Sequence, residues 1–179
     1  MTTVVFETHS WSEDNERGLA TGWLPGRLSE RGRAEAQRLG ERRRDEPLAA
    51  VISSDLERAA ETVRLAFGNH AVPVLLDWHL RECNYGRLNG HPVTETADRR
   101  ARVHDRYPDG ESWAEAIART RTAIAGIVAR WPDERVLVVG HMATHYGCLV
   151  LAHGTDAAEL VRAPFTWQPG WTYSLCNGA

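Results

Sequence analysis

The chain has 179 residues, of which 42% are hydrophobic and 25% are charged, so its size and composition fit one globular domain over residues 1–179. The net charge of −3 argues against nucleic-acid binding, because nucleic-acid-binding domains are usually basic. No apolar run is long enough to span a membrane, the N-terminus lacks a secretory pattern, and the three cysteines form no C-x-x-C pair. We therefore expect a cytoplasmic protein without nucleic-acid or membrane partners.

Short apolar runs alternate along the chain with longer segments that have helical spacing. In chain order the expected strands are Thr3–Thr8, LAAVISS, VPVLL, RVLVVG and WTYSL. The expected helices are LSERGRAEAQRLGERRR, DLERAAETVRLAFG, SWAEAIARTRTAIAGIVARW and MATHYGCLVLA, with N-caps at Ser29, Asp55 and Ser112. This alternation predicts an α/β fold: a three-layer sandwich whose mainly parallel sheet has helices on both faces.

Four chemically active residues follow the predicted strands. His9 ends the first strand, Arg58 enters the helix after the second, Glu82 follows the third and His141 ends the strand RVLVVG. Ligands of such sheets bind at the carboxyl ends of the strands, so these four side chains are expected to converge.

This set of residue types suits phosphoryl transfer. A neutral imidazole can attack phosphorus to form a phosphohistidine, and a second imidazole can bind the phosphoryl oxygens. Arginine offers a planar fork that matches phosphate, and a carboxylic acid can exchange a proton with the leaving group and with water. No metal ion or other cofactor is expected, because the protein itself supplies the positive charge.

The same residues lie in segments that resemble the histidine phosphatase superfamily, the phosphoglycerate-mutase-like proteins, over nearly the whole chain. THSWSEDN lies where the family has R-H-G-E-T-x-x-N, so His9 resembles the nucleophile and Asn15 the phosphate-side asparagine. The segment TGWLPGRLSERGRAEAQRLG resembles the loop-to-helix segment of the family, which places Thr21 and Gly22 near the phosphate.

Four further segments carry the resemblance through the rest of the chain. SSDLERAAET is similar to S-D-L-x-R-A-x-x-T and implies a catalytic role for Arg58, while LRECNYGRLNG implies that Glu82 is the acid/base. PDGES resembles the P-x-G-E-S before the long helix, and VVGH implies that His141 is the second histidine. Tyr85 falls on the tyrosine of the mutases within the family.

The chain departs from the family at the opening motif. Thr8 stands where the family has arginine, Ser10 stands where it has glycine, and Glu7 replaces a residue that is usually apolar. Strand alternation points Glu7 to the same side as His9, where an unpaired carboxylate would repel phosphate. Met142 likewise replaces a glycine after His141.

Three hypotheses accommodate this departure. In the first, the protein remains a phosphatase in which Arg17 or Arg81 replaces the missing charge, and Thr8 and Ser10 offer hydroxyl groups. In the second, Glu7 recognises a cationic substrate group, or Glu7 and Glu82 together transform a non-phosphate substrate. In the third, the chain is a non-catalytic binding module.

The remaining motifs favour structural explanations. His141 and His145 have helical spacing, but the glutamate of H-E-x-x-H is missing, so no metal site is expected. Trp11 and Trp113 lie beside the motif segments and suit either substrate contact or packing, whereas Cys83 lacks a base partner.

The interpretation that best unites these features is hydrolysis of a small-molecule phosphate monoester through a phosphohistidine at His9. A phosphoglycerate-type mutase is the alternative within the family, although the chain is short for one. The expected partner is a small phosphorylated substrate, and a homodimer is one assembly that we consider.

Overall fold

The computed structural model describes residues 1–176, in which strands and helices alternate. The strands are β1 (Thr2–Thr8), β2 (Leu19–Ala20), β3 (Ala50–Ser53), β4 (Val74–Leu76), β5 (His91–Pro92), β6 (Arg135–Gly140) and β7 (Trp171–Leu175). The helices are α1 (Glu13–Arg17), α2 (Glu30–Arg43), α3 (Glu57–Phe67), α4 (Val93–Thr96), α5 (Trp113–Arg130), α6 (Met142–His153) and α7 (Ala157–Arg162). Two 3₁₀ turns, Trp78–Leu80 and Gly86–Leu88, follow β4.

The main sheet has five strands in the order β4-β3-β6-β1-β7. The first four strands are parallel, and β7 pairs with β1 in the antiparallel direction at one edge. The predicted α/β fold with a mainly parallel sheet is therefore confirmed. Strands β2 and β5 form a separate two-stranded pair that the sequence did not indicate.

Alternate residues of β1 supply the two layers of the core. Val4 and Phe6 pack with α5 and α6 on one face of the sheet. Val5 packs with Leu39 of α2 and Val63 of α3 on the opposite face. Because strand side chains alternate, Glu7 lies on the same face as Val5, beneath α2.

Helix ends follow the expected capping chemistry at two of three places. The Ser29 side chain accepts a hydrogen bond from Gly32 N, and Ser112 forms a capping box with Glu115. The predicted cap at Asp55 is wrong: helix α3 begins after Leu56, and the Asp55 carboxylate instead accepts two hydrogen bonds from Arg81, at 2.7 and 2.6 Å.

The segment after His9 contains a short helix that the sequence did not indicate. Ser12 caps the five-residue helix α1 through a capping box with Asn15, and the left-handed Gly18 ends it. Within residues 1–176, no helix has the length and apolar character needed to cross a membrane.

Candidate functional site

The neighbouring strands β1 and β6 bring two histidines together at one edge of the sheet. Thr8 pairs with Gly140 at the end of this parallel ladder, and His9 N donates to the Gly140 carbonyl. His9 and His141 are the residues directly after Thr8 and Gly140, so the centroids of their rings lie 5.0 Å apart. His141 is also the N-cap residue of α6, which fixes its backbone.

Arg58, in the first turn of α3, joins the two imidazoles. Its Nε atom donates to Nε2 of His9 at 3.3 Å, and its Nη2 atom donates to Nδ1 of His141 at 3.3 Å. Nη2 also donates to the Gly22 carbonyl at 3.0 Å. Arg58 is only 3% exposed, and among residues 1–176 its Nη1 atom has no hydrogen-bond partner. A buried guanidinium with an unused donor is suited to an anion.

The hydrogen bonds also assign the histidine tautomers. Arginine only donates, so Nε2 of His9 and Nδ1 of His141 must both be acceptors. The proton of His9 is then on Nδ1, which lies 2.7 Å from the Ser10 carbonyl. The proton of His141 is on Nε2, which lies 2.9 Å from Ser54 Oγ. The lone pair on Nε2 of His9 therefore points towards Arg58.

Both imidazoles are held neutral. Burial, together with the positive charge of Arg58, lowers the pKa of His9 to about 3. Burial, Arg58 and His9 itself hold the pKa of His141 well below its ordinary value. A neutral imidazole with a free lone pair is the nucleophilic form of histidine.

Glu82 lies at the N-terminus of α6, next to His141. Its Oε1 atom accepts hydrogen bonds from Cys83 N at 2.9 Å and Ala143 N at 3.1 Å, and its Oε2 atom accepts one from Met142 N at 3.3 Å. Its own carbonyl accepts from Trp23 Nε1 at 2.7 Å. These contacts fix a carboxylate beside the two histidines, where it can transfer protons.

The four predicted catalytic residues therefore converge, and three of them line a cleft of about 650 Å³, namely His9, Glu82 and His141. The remaining lining residues are Glu7, Thr8, Ser10, Trp11, Asn15, Arg31, Glu35, Arg38, Leu39, Arg42, Met142, Phe165 and Trp167. A smaller cavity of about 450 Å³ beside β4 contains none of the predicted site residues.

The unusual residues around His9 each have a specific partner. Glu7 is 3% exposed, and its Oε1 atom lies 3.1 Å from Arg42 Nη2 and 2.6 Å from Arg43 Nη2. Thr8 Oγ1 accepts from Trp167 Nε1 at 3.2 Å, and Ser10 N donates to Thr62 Oγ1 at 3.0 Å. The carboxylate of Glu7 is thus neutralised within the protein.

The other predicted substrate-binding residues divide into two groups. Asn15 lines the cleft, whereas Gly22 does not and is linked to the two histidines only through its carbonyl, which accepts a hydrogen bond from Arg58. Gly22 has a φ of +55°, and a Cβ there would lie 1.8 Å from Asn89 Oδ1, so glycine is required. Thr21 binds Asp14 instead, at 2.8 Å, and Tyr85 packs edge-on against Tyr107; neither lines the cleft.

The structure corrects the expectation that Arg17 or Arg81 replaces the motif arginine. Arg17 is 65% exposed beside Glu13, and Arg81 is paired with Asp55; neither lines the cleft. The cleft arginines come from α2 instead, at positions 31, 38 and 42. Their seven- and four-residue spacing marks one helix face, and this was the signal available in the sequence.

The structure also places the histidine, cysteine and tryptophan side chains that the sequence left outside the proposed chemistry. His145 is buried and stacks on Phe6, with ring centroids 5.1 Å apart. Burial raises the pKa of the Cys83 thiol, which keeps it protonated. Trp113 is core, whereas Trp11 lines the cleft. No group of three metal-ligating side chains occurs within the described range 1–176.

Known proteins share both this sequence pattern and this fold. Residues 6–169 match the model of the histidine phosphatase superfamily (branch 1). A 2,3-bisphosphoglycerate-dependent phosphoglycerate mutase of Corynebacterium jeikeium is 42% identical over 96 residues, which cover 51% of this chain but only 38% of the mutase. The match therefore spans well under two thirds of that relative.

Two solved structures extend the similarity to the fold. Bacillus stearothermophilus YhfR has a TM-score of 0.83 and 27% identity, covering 94% of this chain and 88% of that protein. A mycobacterial glucosyl-3-phosphoglycerate phosphatase in complex with VO3 has a TM-score of 0.76 and 26% identity. The similarity covers 89% of this chain and 85% of the phosphatase. With a family match over residues 6–169, the chain belongs to the histidine phosphatase superfamily.

Proposed function

We propose that this protein hydrolyses a small-molecule phosphate monoester through a phosphohistidine at His9. The observation that carries the proposal is the arrangement around Arg58, whose guanidinium bonds to both imidazoles and keeps an unused, buried Nη1 donor. Charge-assisted hydrogen bonds from such a group stabilise the charge of a transferring phosphoryl group. The VO3 complex of the mycobacterial phosphatase is consistent with an oxyanion in this fold.

The first step breaks the ester bond. Nε2 of His9 attacks phosphorus with its lone pair, the bond from phosphorus to the ester oxygen breaks, and Glu82 gives its proton to the leaving alkoxide. For this step Arg58 turns its donors from the two imidazoles to the phosphoryl oxygens, which frees the Nε2 lone pair of His9. His141 also holds the phosphoryl group once its proton is on Nδ1 and the Ser54 hydroxyl donates to its Nε2.

The second step regenerates the protein. Water attacks the phosphohistidine, Glu82 accepts a proton from that water, and the bond between phosphorus and His9 breaks to release inorganic phosphate. Thr8, Ser10 and Asn15 are proposed substrate contacts because they line the same cleft. Thr21, Gly22 and Tyr85 are proposed to support the phosphate side indirectly, Gly22 through its carbonyl contact with Arg58.

A panel of phosphate monoesters tests this proposal by release of inorganic phosphate. His9→Ala should abolish release, and Arg58→Ala should lower kcat/KM on the order of 10²–10³-fold, as expected when a donor to developing charge is lost. Glu82→Gln should slow turnover of esters with poor leaving groups most. The exposed His104 is a matched control, and His104→Ala should leave the rate unchanged.

Mutase activity is the second candidate, because the matching Corynebacterium jeikeium protein is a phosphoglycerate mutase. Labelled 3-phosphoglycerate, supplied with a trace of the 2,3-bisphosphate, distinguishes the two. Interconversion of the 2- and 3-isomers without phosphate release would replace hydrolysis by mutase activity, while release without isomer exchange would exclude the mutase.

The two remaining hypotheses make different predictions for the same variants. A binding module would bind the ester without turnover, and binding would persist in His9→Ala. Recognition of a cationic substrate by Glu7 would require displacement of Arg42 or Arg43 from its carboxylate. In that case Glu7→Gln would abolish activity towards a cationic substrate, and no phosphate ester would be cleaved.

A further inference from the structure

The cleft does not end at the histidines but continues along α2, past Glu7 and Thr8. We propose that this extension is a second subsite that binds an anionic group and a flat apolar group of the substrate. The inference rests on the proposed function, since it describes the rest of the molecule whose phosphoryl group binds at His9.

One face of α2 supplies positive charge to the extension. Arg31, Arg38 and Arg42 are seven and four residues apart and all line the cleft, together with two carboxylates, Glu7 and Glu35. Residues with this spacing lie above one another on a helix. Three cations therefore face two anions at this end of the cleft.

The ion pairs show which cation remains available. Arg31 Nε lies 2.8 Å from Glu35 Oε1, and Arg42 shares the Glu7 carboxylate with Arg43. Arg38 forms no salt bridge with any residue of the described chain and is exposed. The guanidinium of Arg38 is thus the free anion-binding group, and the two carboxylates that line this end of the cleft, Glu7 and Glu35, are both paired with arginines.

Aromatic side chains form the other walls. Trp167 is 61% exposed and Trp11 is 38% exposed, which is unusual for side chains of this size in a monomer surface. The Trp167 indole is fixed by its hydrogen bond to Thr8 Oγ1, and the Arg31 guanidinium lies 4.7 Å from the centre of the Trp11 ring. Aromatic faces held in this way favour a flat apolar ligand group.

The short side chain of Thr8 lies between the two parts of the cleft. It lines the same continuous space as His9 on one side and Trp167 on the other. A substrate that spans both parts is therefore a phosphate monoester whose organic group is planar and carries a second negative charge.

Matched pairs of esters test the subsite: phenyl phosphate against 3- and 4-carboxyphenyl phosphate, followed by phosphate release. We expect at least one carboxylated ester to have a kcat/KM about tenfold higher, equivalent to about 1.4 kcal/mol. Arg38→Ala should remove this preference, so that the ratio of kcat/KM between the carboxylated ester and phenyl phosphate falls to about one. Added salt should weaken the preference, since the Arg38 side chain is exposed.

Arg44→Ala is the matched control, because Arg44 is an exposed arginine at the end of the same helix and does not line the cleft. Equal kcat/KM for all three esters, with Arg38→Ala identical to wild type, would overturn the subsite while leaving hydrolysis intact. No phosphate release from these esters or from a wider panel would overturn the proposed function, and the subsite with it.

Discussion

Arg58 is the residue on which the chemistry of the cluster depends. It donates to both imidazoles, and its charge adds to burial in lowering the pKa of His9 to about 3. One buried side chain therefore sets the tautomer of the proposed nucleophile and adds to burial in keeping it neutral.

Replacement of Arg58 by Gln should raise the pKa of His9, because the repulsion between the guanidinium and the imidazolium is removed. The pKa should stay below 6.5, since burial is the larger cause of the shift. Ring ¹⁵N and ¹H NMR titration of His9 measures this change. A wild-type His9 that titrates near 6.5, or a proton found on Nε2 at neutral pH, would contradict the assignment.

Glu7 illustrates how an unusual residue can be explained by its partners. Its carboxylate is 3% exposed and is paired with Arg42 and Arg43. Gly170, with a φ of +85°, packs on this pair so closely that a Cβ would lie 2.2 Å from Arg43 Nη2.

Removing the charge of Glu7 should destabilise the protein, because Arg42 loses its ion-pair partner and Arg43 keeps only its pair with Glu46. We expect Glu7→Gln to lower the free energy of unfolding by roughly 2 kcal/mol, because charged hydrogen bonds are lost while Glu46 still compensates Arg43. Urea denaturation measures the loss, with Glu41→Gln on the exposed face of α2 as the control. A loss of the same size in the control variant would show that the ion pair is not the cause.

At the scale of elements, helix α5 supports the segment that carries Glu82. Arg119 of α5 donates to the carbonyls of His79, Arg81 and Glu82 at 2.8–3.1 Å. Its guanidinium is in turn fixed by Glu111 at 2.7 Å. The position of the proposed acid/base thus depends on a helix outside the cleft.

We expect Arg119→Ala to lower kcat by about tenfold while KM changes little, because the position of Glu82 rather than substrate binding is disturbed. Arg119→Lys should restore part of the rate. Steady-state kinetics on the best ester measures both values, and Arg121→Ala, an exposed arginine on the same helix, is the control. An effect confined to KM would contradict a positioning role.

The elements also show what could be predicted from the sequence. Long helices with caps at Ser29 and Ser112 and buried strands such as Arg135–Gly140 were predictable, because periodicity and capping are local signals. Helix α1 was missed because its five residues contain no apolar period. Asp55 was assigned wrongly because its partner, Arg81, lies 26 residues away.

Part of the candidate site could also be predicted from the sequence. Strand ends located His9 and His141, because topology brings the ends of parallel strands together. The source of the cleft arginines was missed, because Arg38 and Arg42 reach the cleft only through the packing of α2. Their spacing marks one face of a helix, but tertiary contacts decide which element that face meets.

For the whole molecule, the buried histidines His141 and His145 and the partly buried His9 link stability to pH. Burial lowers the pKa of His145 to about 4 and that of His9 to about 3, and His141 is shifted in the same direction. Below pH 6.5 the unfolded chain binds these protons and the folded chain does not, so stability falls as the pH decreases towards the folded-state values.

Between pH 7 and pH 5 we expect His9 and His145 each to remove on the order of 2 kcal/mol from the free energy of unfolding, and His141 to act in the same direction. Urea unfolding at the two pH values measures the summed loss of unfolding free energy. His145→Phe should reduce the difference, whereas His104→Ala should not, because His104 is exposed. Equal stability at pH 7 and pH 5 would show that the histidines are protonated in the folded protein.

Rapid quenching with a ³²P-labelled phosphate monoester tests whether the covalent phosphohistidine forms at His9. We expect an acid-labile, alkali-stable label to appear within one turnover on the peptide that contains His9, and His9→Ala to abolish it. Steady release of labelled phosphate with no label on His9, or with the label on another residue, would contradict it.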